Sequence, residues 1–192
     1  MDINLDDLLK LADRIEDKKI REKTKDFLKN PKLTNVKLDY EVANLEKIPS
    51  WIGAHHSYEG GLIEHIYSVV KLTIKMSEIL EEVYDRKIDK DYLISGALLH
   101  DISKVFILKE ESKGYSINDH LLDHSLWCAC ELYSRGFPEE VIEIVSGHGG
   151  EFLEPAPITI ESTILQLADD LDATSESMDG KDLFYVLEDE LK

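Results

Sequence analysis

At 192 residues, 43% hydrophobic and 32% charged, the chain has the length and composition of one globular domain with a substantial core. A formal net charge of −18 excludes a large surface for tracking a phosphate backbone, so duplex DNA is not an expected partner. No apolar run approaches the eighteen or so residues of a membrane span, and Met1 to Asp7 lack the basic start and apolar stretch of a secretory signal. Cys128 and Cys130 would point about 200° apart on a helix and read as reduced thiols, so a cytoplasmic protein is expected.

Leu8, Leu11, Ile15 and Ile20 recur among dense charges, which predicts one or two exposed amphipathic helices between Leu5 and Leu28, ended by Asn30-Pro31. The pattern from Lys32 to Trp51 is mixed, with a short helix expected from Tyr40 to Glu46 and a break at Pro49. Leu62, Ile66, Val69, Thr73, Met76, Leu80 and Val83 then step by four and three, the core stripe of a helix of about twenty residues with His65 beside it. Tyr92 to Leu99 is nearly all apolar or small, the mark of a helix buried on most sides, and it runs into His100-Asp101, whose ionisable groups need partners or a metal there.

A hairpin is expected between Phe106 and Ser116, turning at Gly114. Asn118 or Asp119 is placed to cap a helix running through His120, His124 and Trp127 to Gly136, which puts His120 and His124 on one face. Pro138 suits the first turn of the next helix, through Val141, Ile142 and Val145, with His148-Gly149 just past its end. Thr159 can cap the last helix, whose stripe is Ile160, Ile164, Leu167, Ala168 and Leu171, while Leu165, Asp169 and Asp172 share another face and Asp170 points about 100° away.

A lone His-Asp pair carries little information, but this chain holds an ordered set. It comprises His55-His56-Ser57-Tyr58-Glu59-Gly60-Gly61-Leu62-Ile63-Glu64-His65, then Gly96-Ala97-Leu98-Leu99-His100-Asp101-Ile102-Ser103-Lys104, then His124, His148-Gly149 and Ala168-Asp169-Asp170-Leu171-Asp172. In that wording the chain resembles the HD-domain superfamily of metal-dependent phosphohydrolases from about Pro49 to Thr174, and within it the HD domain of a bacterial 3′-5′ exoribonuclease family. The resemblance implies an all-α, HD-domain-like helical bundle over 49–192, and the apolar pattern ahead of it makes 1–48 a helical segment packed on or extending that domain. The resemblance also implies His65, His100, Asp101 and Asp169 as metal ligands, with His124 and His148 for a second ion.

Imidazoles mixed with carboxylates suit Mn, Fe, Co, Ni or Zn, one or two per chain, and an Asp can bridge two cations with its two oxygens, which makes Asp101 the natural shared ligand. Lys104, three residues on, can add positive charge at a phosphate. His55 and His56 can reach the same phosphate, while Asp172 and His120 are expected to orient liganding histidines. The expected activity is hydrolysis of a phosphate mono- or diester of a small substrate, a nucleotide foremost, through a metal-activated water. The alternatives are exoribonuclease-like action on single-stranded ends and a non-catalytic, nucleotide-sensing module. The exoribonuclease relatives carry a nucleic-acid-binding domain ahead of the HD domain, a place taken here by roughly fifty charged residues of helical pattern, which favours a small substrate.

Overall fold

The computed structural model describes residues 3–38, 40–118, 122–149 and 156–177. Along the chain run α1 (Leu5–Ala12), α2 (Lys18–Lys29), α3 (Gly61–Tyr84), α4 (Lys90–Leu99), the single-turn α5 (Lys104–Ile107), the antiparallel hairpin β1 (Leu108–Glu110) and β2 (Tyr115–Ile117), α6 (His124–Ser134), α7 (Glu139–Ser146) and α8 (Ile160–Ser177). A 3₁₀ turn, Gly147–Gly149, follows α7. The fold class is therefore all-α, with one small hairpin among the described residues. None of the described helices is long and apolar enough to cross a membrane.

Helix α4 sits at the centre, packed against α3, α7, α8 and α2. Its residues Leu93 to Leu99 are all buried, as expected for a sequence with no polar face. The close approach of α7 depends on Gly96, where an added Cβ would lie 2.4 Å from Ile144 Cγ2. Asp89 caps α4 by accepting from the amides of Asp91 and Tyr92, so the helix axis is set at its start and delivers His100 and Asp101 at its end. Leu8, Leu11, Ile15 and Ile20 of the N-terminal segment are buried in the same hydrophobic cluster as α3 and α4, the apolar side of an amphipathic pattern whose charges face outward.

Three local expectations are corrected. Residues 40–46 form no helix: the segment is irregular, with a turn only at Leu45 to Lys47, and a tertiary partner takes one of its amides, Ala43 bonding the Val105 carbonyl at 2.8 Å. Helix α6 begins at His124, with Asp123 as the cap accepting from the Ser125 amide. Asn118 instead continues the hairpin by bonding Ile107 and Phe106, so the helix expected to carry His120 and His124 together starts too late to do so. His120 and Asp119 themselves lie outside the described residues. On α8, Leu167 and Leu171 are half exposed, and the buried stripe is Ile164, Leu165, Ala168 and Asp172, which turns the acidic face inward. Thr159 does cap this helix, accepting from the Ser162 amide at 3.1 Å.

Candidate metal centre

Six side chains converge at the C-terminal end of α4. His65 comes from the first turns of α3, His100 and Asp101 from the end of α4, His124 from the first residue of α6, His148 from the 3₁₀ turn after α7, and Asp169 from the middle of α8. His65, His100, Asp101 and His148 are buried, and Asp169 and His124 are partly open. Among the described residues three groups have ligand atoms all within 4.8 Å of one another: His65, His100 and Asp169; Asp101, His124 and His148; and His55 and His56 with that same His65.

Asp101 faces both groups. Its Oδ2 lies 3.3 Å from His65 Nε2 and 3.5 Å from His100 Nε2, while its Oδ1 lies 3.4 Å from His124 Nε2 and 3.8 Å from His148 Nε2. That Oδ1 is buried with no hydrogen-bond partner, a costly state for a charged oxygen unless a cation meets it.

The four imidazoles are oriented alike, each by its Nδ1. His65 Nδ1 donates to Asp172 Oδ2 at 2.7 Å, His100 Nδ1 to the Ala97 carbonyl at 2.8 Å, His124 Nδ1 to Asp123 Oδ2 at 3.1 Å, and His148 Nδ1 to the Val145 carbonyl. With those protons committed outward, every Nε2 turns to the centre: His65 and His100 meet at 3.2 Å, His124 and His148 at 3.3 Å. A ring of electron pairs and carboxylate oxygens is self-repelling without positive charge, and the same back-bonding of Nδ1 is what orients histidines that hold metals. The donor set therefore fits one or two divalent cations.

Electrostatics bear this out in the bare protein, where protons take the cation's place. Burial opposes charge on His65, yet hydrogen bonds to Asp101, Asp169 and Asp172 hold its pKa well above the ordinary 6.5. His148 is raised against its burial by Asp101 and Asp169. For His100 burial wins, and the pKa falls to about 4. Asp101 is held well below the usual carboxylate range against its own burial by Lys104 and the histidines, and Asp169 by His65 and His100.

The remaining candidates lie around this centre. Lys104 Nζ, itself buried, bonds Asp101 Oδ2 at 2.5 Å and lies 5.7 Å from the ring centre of Trp51. A cavity of about 320 Å³ opens onto the centre, lined by Trp51, Ala54, His55, Lys104, Asp123 and Asp170 together with Asp101, His124, His148 and Asp169. His55 belongs to its wall and bonds Ser50 Oγ through Nε2. His56 does not line it: only 4% exposed, the ring sits behind the centre with Nδ1 3.7 Å from Asp172, so it is not placed against a phosphate as its sequence position suggested. The loop is held there because Gly61 leaves room for the His56 carbonyl, which would lie 2.0 Å from a Cβ at that position.

Two members were not singled out from sequence. Asp123, which orients His124, carried a signal in being an Asp directly before a helical apolar run. Trp51 carried a weaker one, a lone aromatic in a loop bounded by Pro49 and Gly53.

A helical frame that gathers four histidines and two aspartates at one cavity, with Asp101 facing both histidine pairs, is the arrangement of a metal-dependent hydrolase. The family model described as HD domain matches residues 62–174, and the chain belongs to that family. It is 45% identical over 168 residues to dihydroneopterin 2′,3′-cyclic phosphate phosphodiesterase of Methanocaldococcus jannaschii, an alignment covering 86% of this chain and 68% of the relative. The 3′-5′ exoribonuclease YhaM of Bacillus subtilis is 28% identical, covering 92% of this chain and 60% of that protein. Its counterpart in Bacillus pumilus is 30% identical, over 79% and 52%. No solved structure matches the chain.

Proposed function

We propose that this chain is a two-metal phosphodiesterase that opens a small cyclic phosphate diester of a nucleotide-like molecule. The observation that carries it is Asp101, whose two oxygens face two separate pairs of histidines, the arrangement of a carboxylate shared between two cations. In this reading His65, His100, Asp101 and Asp169 hold one ion, and Asp101, His124 and His148 the other. Mn, Fe, Co, Ni and Zn all suit such a mixed nitrogen and oxygen donor set. When bound, the ions would supply Lewis acidity and a nucleophilic water near neutral pH.

The chain's own residues do the rest. Asp172 and Asp123 hold His65 and His124 in the tautomer that turns Nε2 inward. Lys104 keeps Asp101 ionised and sets a positive charge at the cavity wall, where charge grows on the phosphoryl oxygens. His55, on the same wall, is read as a group that contacts the substrate phosphate.

A cyclic diester is favoured over a polymer on two grounds. The archaeal relative at 45% identity is named for a 2′,3′-cyclic phosphate, whereas the exoribonucleases stand at 28–30%. A cavity of about 320 Å³ on a chain of charge −18 also suits a small molecule better than a strand. With reduced thiols at Cys128 and Cys130, we place the protein in the cytoplasm, with residues 1–48 as an integral part of a single globular unit.

The test is turnover of 2′,3′-cyclic nucleotides by protein loaded with Mn or Fe, beside a phosphomonoester and a single-stranded oligonucleotide, together with metal analysis. Opening of the cyclic ester with about two ions per chain supports the proposal. Stepwise shortening of the oligonucleotide with the cyclic esters left intact would move the reading to the exoribonucleases, and tight nucleotide binding without turnover would move it to a sensing module.

A further inference from the structure

We propose that Trp51 is the platform on which the flat ring of the substrate stacks, so that this residue selects a heterocycle-bearing ester over an aliphatic one. The inference rests on the phosphodiesterase reading above and adds the part of the substrate that the metal centre does not touch.

Trp51 lines the cavity that opens onto Asp101, His124, His148 and Asp169. Its indole is half-buried, in contrast to the chain's other tryptophan, Trp127, which is 6% exposed and packs edge-on against Tyr40. An aromatic surface left open beside a charged centre forgoes burial that a ligand can restore. Among the described residues the ring paired with it is that of His124, with its centroid 6.3 Å away and tilted by 46°, so it does not stack face to face on the indole. Ala54 and Ala173, the two smallest lining side chains, leave room for a planar group in the cavity.

The platform is built rigid. The Ser50 amide bonds the His56 carbonyl at 3.0 Å, Ser50 Oγ bonds His55 at 3.1 Å, and the Gly53 amide bonds Ser57 Oγ at 2.9 Å, closing the loop around Trp51. Lys104 lies 5.7 Å from the ring centre while it bonds Asp101, so one residue links the indole to the shared carboxylate. A ligand whose phosphate meets the centre thus has its attached ring within reach of Trp51.

The test compares ringed and ringless ligands on metal-loaded wild type, Trp51→Phe and Trp51→Ala. Binding of adenosine 2′-monophosphate and of glycerol 2-phosphate is followed by calorimetry, and turnover with adenosine 2′,3′-cyclic phosphate and glycerol 1,2-cyclic phosphate. In wild type the ringed ligand is preferred. Trp51→Ala lowers that preference by roughly ten- to a hundredfold, the usual contribution of one stacked base, and Trp51→Phe keeps most of it. Equal losses on ringed and ringless ligands would overturn the proposal, since they would mark Trp51 as a support for Lys104 alone, and so would a wild type without preference. If neither cyclic ester is opened but the Trp51-dependent binding preference remains, the phosphodiesterase reading falls and the stacking site stands.

Discussion

His65 and Asp172, 107 positions apart in the chain, are joined by a 2.7 Å hydrogen bond from Nδ1 to Oδ2, and the other nitrogen of the same ring lies 3.0 Å from Asp169. Helix α8 therefore contributes twice to one histidine: one acid aims the imidazole, and the acid one turn earlier faces it across the metal position. Asp172→Asn keeps the size of the side chain and removes the charge that fixes the tautomer. Metal affinity should fall about ten- to a hundredfold with helical content unchanged, measured by competition with a chromogenic chelator. Undiminished affinity would deny Asp172 this role.

His100→Ala is the clean way to disable the ion position of His65, His100 and Asp169, because the lost ring bonds only the Ala97 carbonyl and His65. Turnover should vanish and bound metal should fall to at most the one ion of Asp101, His124 and His148, while the protein stays folded. Asp101→Ala is a different experiment. It strands the ammonium of Lys104, 5% exposed, and should cost about 3–5 kcal/mol of stability in addition to the metal. Urea unfolding of both variants checks the contrast, and equal stabilities would show that the Lys104–Asp101 pair contributes little.

The pH dependence follows from His65 and His148. Both are raised above the ordinary 6.5 in the bare protein, so the stability they contribute is full below that pH and is lost as pH climbs through their folded values. A divalent ion requires Nε2 without its proton, so its binding releases those protons and strengthens with pH. His100, lowered to about 4 by burial, releases none. The gap in Tm between metal-loaded and metal-free protein should widen from about pH 6 to about pH 8, and calorimetry in buffers of different ionisation enthalpy should count the protons. A constant gap with buffer-independent heats would contradict the assignment.

Gly96→Ala tests the frame instead of the chemistry. The new methyl carbon would meet Ile144 at 2.4 Å, forcing α4 and α7 apart. A loss of about 1–3 kcal/mol is expected, read as a drop in Tm of roughly 2–4 °C per kcal/mol for a chain of this size. An unchanged Tm would mean that the two helices have slack which the packing does not suggest.

Much of the architecture was legible because its signals are local. The stripe from Leu62 to Val83, the apolar run to Leu99, Pro138 and Thr159 each specify a helix or its start through nearest neighbours along the chain, and the structure has α3, α4, α7 and α8 at those places. Errors arose where a distant partner outweighs local preference. In residues 40–46 the Ala43 amide goes to the Val105 carbonyl, and Asn118 prolongs a hairpin instead of capping α6. The stripe on α8 was misjudged for the same reason, since Leu167 and Leu171 match a helical repeat but the packed face is the one that carries Asp172.

By itself the sequence determined which chemical groups are present and on which helices they ride: four histidines and a set of aspartates whose spacing marks an HD-domain hydrolase. Only the tertiary structure decided how those groups divide, with Asp101 turned to both histidine pairs, His55 on the cavity wall, His56 behind it and Trp51 at its edge. The physical reason is that spacing along a helix fixes the direction of a side chain relative to its own axis, whereas the meeting of two side chains depends on how separate axes pack. That packing is set by contacts such as Gly96 on Ile144, where a motif glycine meets a helix 48 positions away, and spacing along one helix does not specify such a contact.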